Sequence, residues 1–197
     1  MLKLIVLGLF LVKLITCFDS LSDNVIFAVN SGGDAFTDSF GIKYRKDFLT
    51  EGTASDYGKM ISLKRFSNPH DKPLYETERY SMDTFGYSIP MPSNDGDYVL
   101  WLKFCEVWFA ARAQKVFDVA INDHIVIQEL DIFSKVGRGV AHDEIIPFQI
   151  RNRKLIINGK SKGFNNEIRV EFLKGIHDNP KINAIILLKG KADRKVL

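Results

Sequence analysis

The feature that most constrains this fold is a series of short runs rich in Val, Ile, Phe and Tyr, separated by Gly, Asn, Asp and Pro. No segment shows the 3.6-residue periodicity of an amphipathic helix. The pattern predicts an all-β fold, specifically an antiparallel β-sandwich, jelly-roll-like, with long ligand-binding loops. The runs that we predict as strands are 25–30, 85–90, 97–107, 116–122, 124–130, 143–150, 154–160, 167–173 and 182–188.

Two local signals refine this prediction. The stretch "AINDHIV" places Asn122-Asp123 between two strand-like runs, which is typical of a tight β-hairpin turn. The stretch "SLKRFSNPHDKPLYETERYSM" has room for one or two helical turns, but Pro69 and Pro73 interrupt anything longer.

The segment 31–84 differs from the rest of the chain because it is rich in Gly, Asp, Ser and charged residues. We interpret it as too polar to contribute to the core and too long for a simple connection. Long loops on a rigid β scaffold are common places for binding residues.

The N-terminal stretch "MLKLIVLGLFLVKLITCFDS" has an early basic residue, an apolar run and then small and polar residues. It is typical of a secretory signal peptide, which we assign to residues 1–17. An uncleaved N-terminal anchor is the alternative, although Lys13 interrupts the apolar run. The remainder is predicted as one domain, 24–190, followed by a short polar tail, 191–197.

Charge and cysteine content exclude two classes of protein. The net charge is +3 and no block of like charges occurs, so a nucleic-acid partner is not expected. Cleavage after Cys17 would leave Cys105 as a single cysteine, which gives no disulfide framework. Cys105 is predicted to be a small buried apolar side chain; a reactive thiol is the alternative, but no neighbouring pattern would activate it.

Motifs of known enzyme classes are missing from the sequence. It contains no G-x-S-x-G, H-E-x-x-H or P-loop motif, and its four histidines lack metal-ligand spacing. We therefore expect no catalytic residue, no metal and no cofactor. A glycoside hydrolase remains an alternative, because sequence alone does not pair carboxylates across a sugar. The stretch "AHDEIIP" (141–147) is either a polar loop before a strand or an acid–base or metal site.

Aromatic residues in polar surroundings suggest a site for a neutral sugar. Sugar rings offer an apolar face to aromatic rings, and their hydroxyls bind charged acceptors strongly. Each aromatic residue also has a structural alternative, since a loop tyrosine can cover the core edge and a strand-end Trp-Phe pair can pack inside. The features concerned are Tyr57, Tyr75, Tyr80, the pair Trp108-Phe109 and the acidic loop 175–181.

Five segments of the chain together carry a specific resemblance: "AVNSGGDAFTDSFGIKYRKD" (28–47), "ASDYG" (54–58), "LYETERYSMDTFGYSIP" (74–90), "YVLWLKFCEVWF" (98–109) and "DNPKINAIILLKG" (178–190). In this order they resemble the malectin family of carbohydrate-binding proteins of the endoplasmic reticulum lumen. The similarity covers about residues 24–190. The resemblance implies a jelly-roll-like sandwich whose loops bind the glucose α-1,3-glucose unit of diglucosylated high-mannose N-glycans.

The resemblance also implies which side chains contact the sugar. They fall on Tyr57, Tyr80, Trp108, Phe109 and Asp178. Four match the family in residue type, whereas the family usually has Tyr at the position of Trp108. An indole N–H can only donate a hydrogen bond, so any bond that a Tyr hydroxyl would accept is lost.

The implied role is early quality control of glycoproteins in the endoplasmic reticulum, with ribophorin I of the oligosaccharyltransferase complex as a partner. Animal members of the family carry an acidic stretch and a C-terminal membrane helix. Neither pattern occurs in this sequence, so both a soluble form and a longer, membrane-anchored protein stay open. A protein-interaction module, as in receptor ectodomains with malectin-like domains, is the remaining alternative.

Overall fold

The structure is a computed structural model that describes residues 21–92 and 94–191. The predicted signal peptide, 1–17, and nearly all of the predicted tail, 191–197, lie outside the described residues. Helical structure is limited to α1 (Pro73–Glu76), α2 (Ile132–Val136) and three 3-10 turns in the part that is described. The strands are β1 (Val25–Asn30), β2 (Phe36–Thr37), β3 (Lys43–Lys46), β4 (Thr53–Ser55), β5 (Glu78–Tyr80), β6 (Phe85–Pro90), β7 (Gly96–Cys105), β8 (Phe117–Ile121), β9 (His124–Leu130), β10 (Ala141–Arg151), β11 (Lys154–Ile157), β12 (Lys160–Gly163), β13 (Glu167–Leu173), β14 (Lys181–Ile182) and β15 (Ala184–Lys189).

The strands form an all-β sandwich, which confirms the predicted fold class. A large sheet has the order β12-β11-β10-β7-β15-β1-β3-β2, and it faces a smaller sheet of order β6-β13-β8-β9. A third sheet, β14-β5-β4, is attached at one end. Pairing is antiparallel except between β1 and β3, where Val29 lies opposite Arg45 in a parallel register.

The main core lies between the two larger sheets. Along β13 the side chains of Ile168, Val170 and Phe172 are buried, and they alternate with half-exposed neighbours, as expected for a strand with one face in the core. Phe172 packs against Phe85 of β6 and Phe104 of β7, at ring-centroid distances of 5.2 and 6.4 Å.

A second hydrophobic cluster covers the outer face of the large sheet, and it corrects our interpretation of segment 31–84. Ile42, Tyr44 and Leu74 from that segment are almost fully buried, and they belong to the same hydrophobic cluster as Trp101 of β7. The segment is therefore part of the core, not only a set of binding loops. Burial on both faces also explains why β7 reads as a nearly continuous apolar run.

The predicted hairpin is confirmed. Asn122 and Asp123 connect β8 to β9 and both have positive φ, +45° and +67°. A two-residue type I′ turn requires that conformation, and Asn and Asp tolerate it better than most residues.

Buried charges join the end of β7 to the third sheet. Lys181 of β14 is fully buried, forms an ion pair with Glu78 of β5, and donates a hydrogen bond to the carbonyl of Cys105. Asn183 bridges the same elements, because its Oδ1 accepts from the Cys105 N–H (2.8 Å) and its Nδ2 donates to the carbonyl of Thr77 (2.7 Å).

Electrostatics keep the buried Lys181 charged. Burial alone would lower the pKa of its ammonium, but the nearby carboxylates of Glu78 and Glu106 more than offset this effect. The pKa of Lys181 is therefore raised above the ordinary lysine value.

Cys105 is fully buried, as predicted, and burial raises the pKa of its thiol to about 12, so it is not a reactive thiolate.

We expect Lys181→Met to lower the free energy of unfolding by about 3–5 kcal/mol, because the Glu78 carboxylate would stay buried without its partner. Adding Glu78→Gln should recover part of this loss. The control is Lys162→Met, since Lys162 pairs with Asp123 on the surface and should contribute less than about 1 kcal/mol. Urea unfolding measures all three variants, and equal losses for Lys181→Met and Lys162→Met would contradict the assignment.

Candidate functional site

A cavity of about 250 Å³ opens between the third sheet and the end of β7. All five side chains that the sequence analysis predicted as site residues line this one cavity. Their neighbours in the lining come from β4, β5, the segment after β7, the segment before β8 and the loop before β14. The lining residues are Ser55, Tyr57, Glu78, Tyr80, Val107, Trp108, Phe109, Lys115, Asp178 and Asn179.

Tyr57 and Trp108 form an aromatic corner. Their ring centroids are 5.0 Å apart with an interplanar angle of 62°, so one ring presents its edge to the other. The indole of Trp108 is 61% exposed. Tyr57 begins a 3-10 turn in which the next residue, Gly58, lies so close to α1 that a Cβ atom would be 2.6 Å from the carbonyl oxygen of Glu76. Only glycine fits at position 58, and it allows the turn that holds Tyr57 to pack against α1.

Glu106 determines how the chain leaves β7. We predicted a strand through residue 107, whereas β7 ends at Cys105. The buried carboxylate of Glu106 accepts hydrogen bonds from the backbone N–H groups of Trp108 (2.8 Å) and Phe109 (3.0 Å). Strand alternation stops there, and both rings line the cavity. The alternative that placed both rings in the core is wrong for Trp108.

Asp178 supplies a carboxylate to the cavity lining. Its Oδ2 lies 3.0 Å from Nζ of Lys115, while its Oδ1 accepts only a long hydrogen bond, 3.3 Å, from Nδ2 of Asn179. The backbone N–H of Asp178 donates to the carbonyl of Gln114. The carboxylate is thus attached on one side and is partly exposed towards the cavity.

Lys115 is the main site residue that sequence reasoning missed. Its side chain is only 6% exposed, and Nζ donates to both the carbonyl and the side-chain oxygen of Asn179. Nζ also lies 5.6 Å from the ring centroid of Phe109, within cation–π range. Burial, followed by the charge of Lys181, lowers the pKa of Lys115. A single lysine beside a strand carries no motif, so only the structure reveals it.

Tyr80 completes the cavity wall from the last position of β5. Tyr80 is half-buried and lies opposite Lys181 of β14. Glu78 lies two residues earlier on the same face of the strand.

Tyr75, which we also considered as a sugar-binding residue, does not line this cavity. It is buried in α1, and its hydroxyl donates to Oδ1 of Asp143 at 2.6 Å.

The "AHDE" stretch belongs to β10 and not to a loop. Asp143 accepts hydrogen bonds from Trp101 and Lys103 besides Tyr75. Glu144 binds His142 (2.7 Å) and Lys135 (2.8 Å), and these bonds lower the pKa of its carboxyl to about 2. The polar side chains of this stretch therefore form ion pairs and hydrogen bonds between neighbouring elements, which is a structural role.

The carboxylates that line the cavity are Glu78 and Asp178, and each is paired with a lysine. Over residues 21–92 and 94–191, no group of three or more His, Cys, Asp or Glu side chains is arranged to hold a metal ion. None of the helices in that same part of the chain has the length and hydropathy needed to cross a membrane.

The fold and cavity together define a β-sandwich domain with an aromatic and carboxylate cleft at one end. The family described as "Malectin domain" matches residues 25–185. The chain is 51% identical over 176 residues to malectin of Danio rerio, covering 88% of this chain and 61% of that protein. The chain is also 51% identical to malectin of Homo sapiens, over 88% of this chain and 59% of the human protein. The chain belongs to the malectin family.

Solved structures of lower identity share the fold. The ANX2 ectodomain of Arabidopsis thaliana superposes with a TM-score of 0.69 at 18% identity, over 85% of this chain and 50% of that one. A β-glucuronidase of Bacteroides uniformis superposes with a TM-score of 0.60 at 19% identity. The superposition covers 84% of this chain and 18% of the glucuronidase chain. These similarities show the fold alone. The chain spans about three fifths of the length of the curated relatives it matches.

We expect Glu106→Ala to lower the free energy of unfolding by about 2–3 kcal/mol, because two backbone N–H groups lose their acceptor. The indole of Trp108 should become more accessible to acrylamide, and its fluorescence reports this selectively because Trp101 is only 3% exposed. Glu106→Gln keeps an acceptor oxygen and serves as the matched control. Unchanged quenching in Glu106→Ala would contradict the role assigned to this carboxylate.

Proposed function

We propose that this chain is a lectin that binds the glucose α-1,3-glucose unit of diglucosylated high-mannose N-glycans. The observation that carries the proposal is the convergence of Tyr57, Tyr80, Trp108, Phe109 and Asp178 on one cavity. These residues come from distant parts of the sequence and include four aromatic rings beside one partly exposed carboxylate. Membership of the malectin family supports the same conclusion.

The cavity has the chemistry that a neutral disaccharide needs. The exposed indole of Trp108 and the neighbouring Tyr57 ring offer apolar surface to the C–H face of a sugar. A charged carboxylate is a stronger acceptor for hydroxyl groups than a neutral carbonyl. Asp178 therefore fixes orientation, while the aromatic rings contribute apolar contact area.

The expected affinity follows from ligand size. A disaccharide has about 23 heavy atoms, and at about −0.3 kcal/mol per atom its binding free energy is about −7 kcal/mol. That corresponds to a dissociation constant in the micromolar range. Such reversible binding suits a checkpoint that must release the glycoproteins it retains.

The wider role belongs to the same proposal. We place the protein in the endoplasmic reticulum lumen, where it would bind glucosylated N-glycans on nascent glycoproteins and act with ribophorin I in quality control. Similarity to the family supports this part. The disaccharide site can be tested independently of it.

We expect Asp178→Asn to weaken binding of the α-1,3-linked glucose disaccharide at least tenfold, because a neutral amide is a poorer acceptor than a carboxylate. Isothermal titration calorimetry measures the change. Asp123→Asn is the control, since Asp123 is an exposed carboxylate of the β8–β9 turn that pairs with Lys162. Unaltered affinity in Asp178→Asn would remove Asp178 from the site.

The same titration separates the alternative functions. A glycoside hydrolase would release glucose from the disaccharide, whereas a lectin leaves it intact. A module that binds only proteins would show no heat of binding with the sugar. We favour the lectin because each of the two carboxylates that line the cavity is held in an ion pair with a lysine, and because the chain belongs to the malectin family.

Trp108→Ala should weaken disaccharide binding about tenfold or more through loss of stacking surface. Its free energy of unfolding should change by less than about 1 kcal/mol, because the indole is 61% exposed. Trp108→Tyr restores a flat ring and a hydroxyl, so it should bind the disaccharide. A large destabilisation of Trp108→Ala with retained binding would assign this ring to structure instead.

A further inference from the structure

Lys115 has a contact pattern that distinguishes it from the other residues lining the cavity. An ammonium group has three N–H donors. Three acceptors surround Nζ: Oδ2 of Asp178 at 3.0 Å, the carbonyl oxygen of Asn179 at 3.1 Å and Oδ1 of Asn179. No donor remains for a ligand. Lys115 therefore does not bind sugar directly, although it forms part of the wall.

The same contacts make the two oxygens of Asp178 unequal. Oδ2 is held by the ammonium, whereas Oδ1 has only the 3.3 Å hydrogen bond from Asn179, near the long limit for such bonds. A backbone hydrogen bond from Asp178 to Gln114 keeps the carboxylate beside Lys115. Side-chain rotation about χ1 would break the ion pair.

The surrounding charges reinforce this asymmetry. Glu78, Glu106, Lys115 and Lys181 are all buried, and as two carboxylates and two ammonium groups they sum to zero. Asp178 is the further charge, and its side chain is 30% exposed. The excess negative charge thus lies on Asp178, the most exposed of these five charged side chains.

We propose that Lys115 is a positioning residue, which fixes Asp178 in one rotamer so that Oδ1 is the oxygen that accepts a sugar hydroxyl. The proposal rests on the lectin function proposed above and adds a residue to its site. Lys115 acts through Asp178 and Asn179, and it also seats the Phe109 ring. It sets selectivity for the hydroxyl at one position of the disaccharide.

The test uses a panel of monodeoxy analogues of the α-1,3-linked glucose disaccharide. In the wild-type protein, loss of the hydroxyl that binds Asp178 should weaken binding at least tenfold. Asp178→Asn identifies that position, because the loss becomes smaller there. Lys115→Met should bind the parent disaccharide about tenfold more weakly and show the same reduced discrimination at that position, with the pattern at the other positions retained.

Lys103→Met is the matched control. Lys103 is 5% exposed and pairs with Asp143 at 2.8 Å, which closely parallels the 6% exposure and 3.0 Å distance of Lys115. It lines a different cavity, so Lys103→Met should lower the melting temperature but keep the wild-type analogue pattern. Lys115→Arg, which keeps the charge, should recover part of the discrimination.

A uniform loss across all analogues in Lys115→Met would overturn the proposal, because it would indicate a general structural effect. A ligand-free measurement keeps the test independent of the lectin function. Three-bond NMR couplings should report one χ1 rotamer of Asp178 in the wild-type protein and averaging in Lys115→Met. A fixed rotamer in both would refute the positioning role, whereas absent disaccharide binding by wild-type protein would refute the lectin function.

Discussion

The cavity depends on the ion pair between Lys181 and Glu78. A buried charge is tolerated only when it is paired and fully hydrogen-bonded, and here the ammonium also binds the last carbonyl of β7. These bonds attach the third sheet to the end of the large sheet. Tyr80 and Asp178 lie on elements that flank Lys181, so the position of one buried lysine determines where two walls of the site stand.

The aromatic wall depends on a different local event, the end of β7. A strand sends neighbouring side chains to opposite faces, so Trp108 and Phe109 could not both line a cavity if β7 continued. Glu106 ends the alternation by accepting both backbone N–H groups. The regular strand thus ends at Cys105, and the cavity lining begins at Val107. This agrees with the general placement of binding residues on loops held by a rigid scaffold.

The sequence predicts the parts of the molecule that have a repeating pattern. Strands such as β13 alternate with period two, and the Asn122-Asp123 turn has a residue-specific signal, so both could be predicted. Segment 31–84 could not, because its buried residues, among them Ile42 and Leu74, are isolated among polar neighbours. Of the site, the five residues that the family resemblance implied were predicted, and they line one cavity. Lys115 was not, since its role arises only when the loop before β14 folds against it.

The charge distribution also limits the kind of ligand that the proposed sugar site would accept. Lys115 is the only cation among the described residues that line the cavity, and its three donors are already engaged. The partly exposed Asp178 would repel an anionic ligand. A uronic acid or phosphorylated sugar would therefore bring a charge into a cleft that offers it no partner, which is costly at a partly buried site. A neutral disaccharide meets no such penalty, because its hydroxyls can donate to the carboxylate while its C–H face lies against the rings.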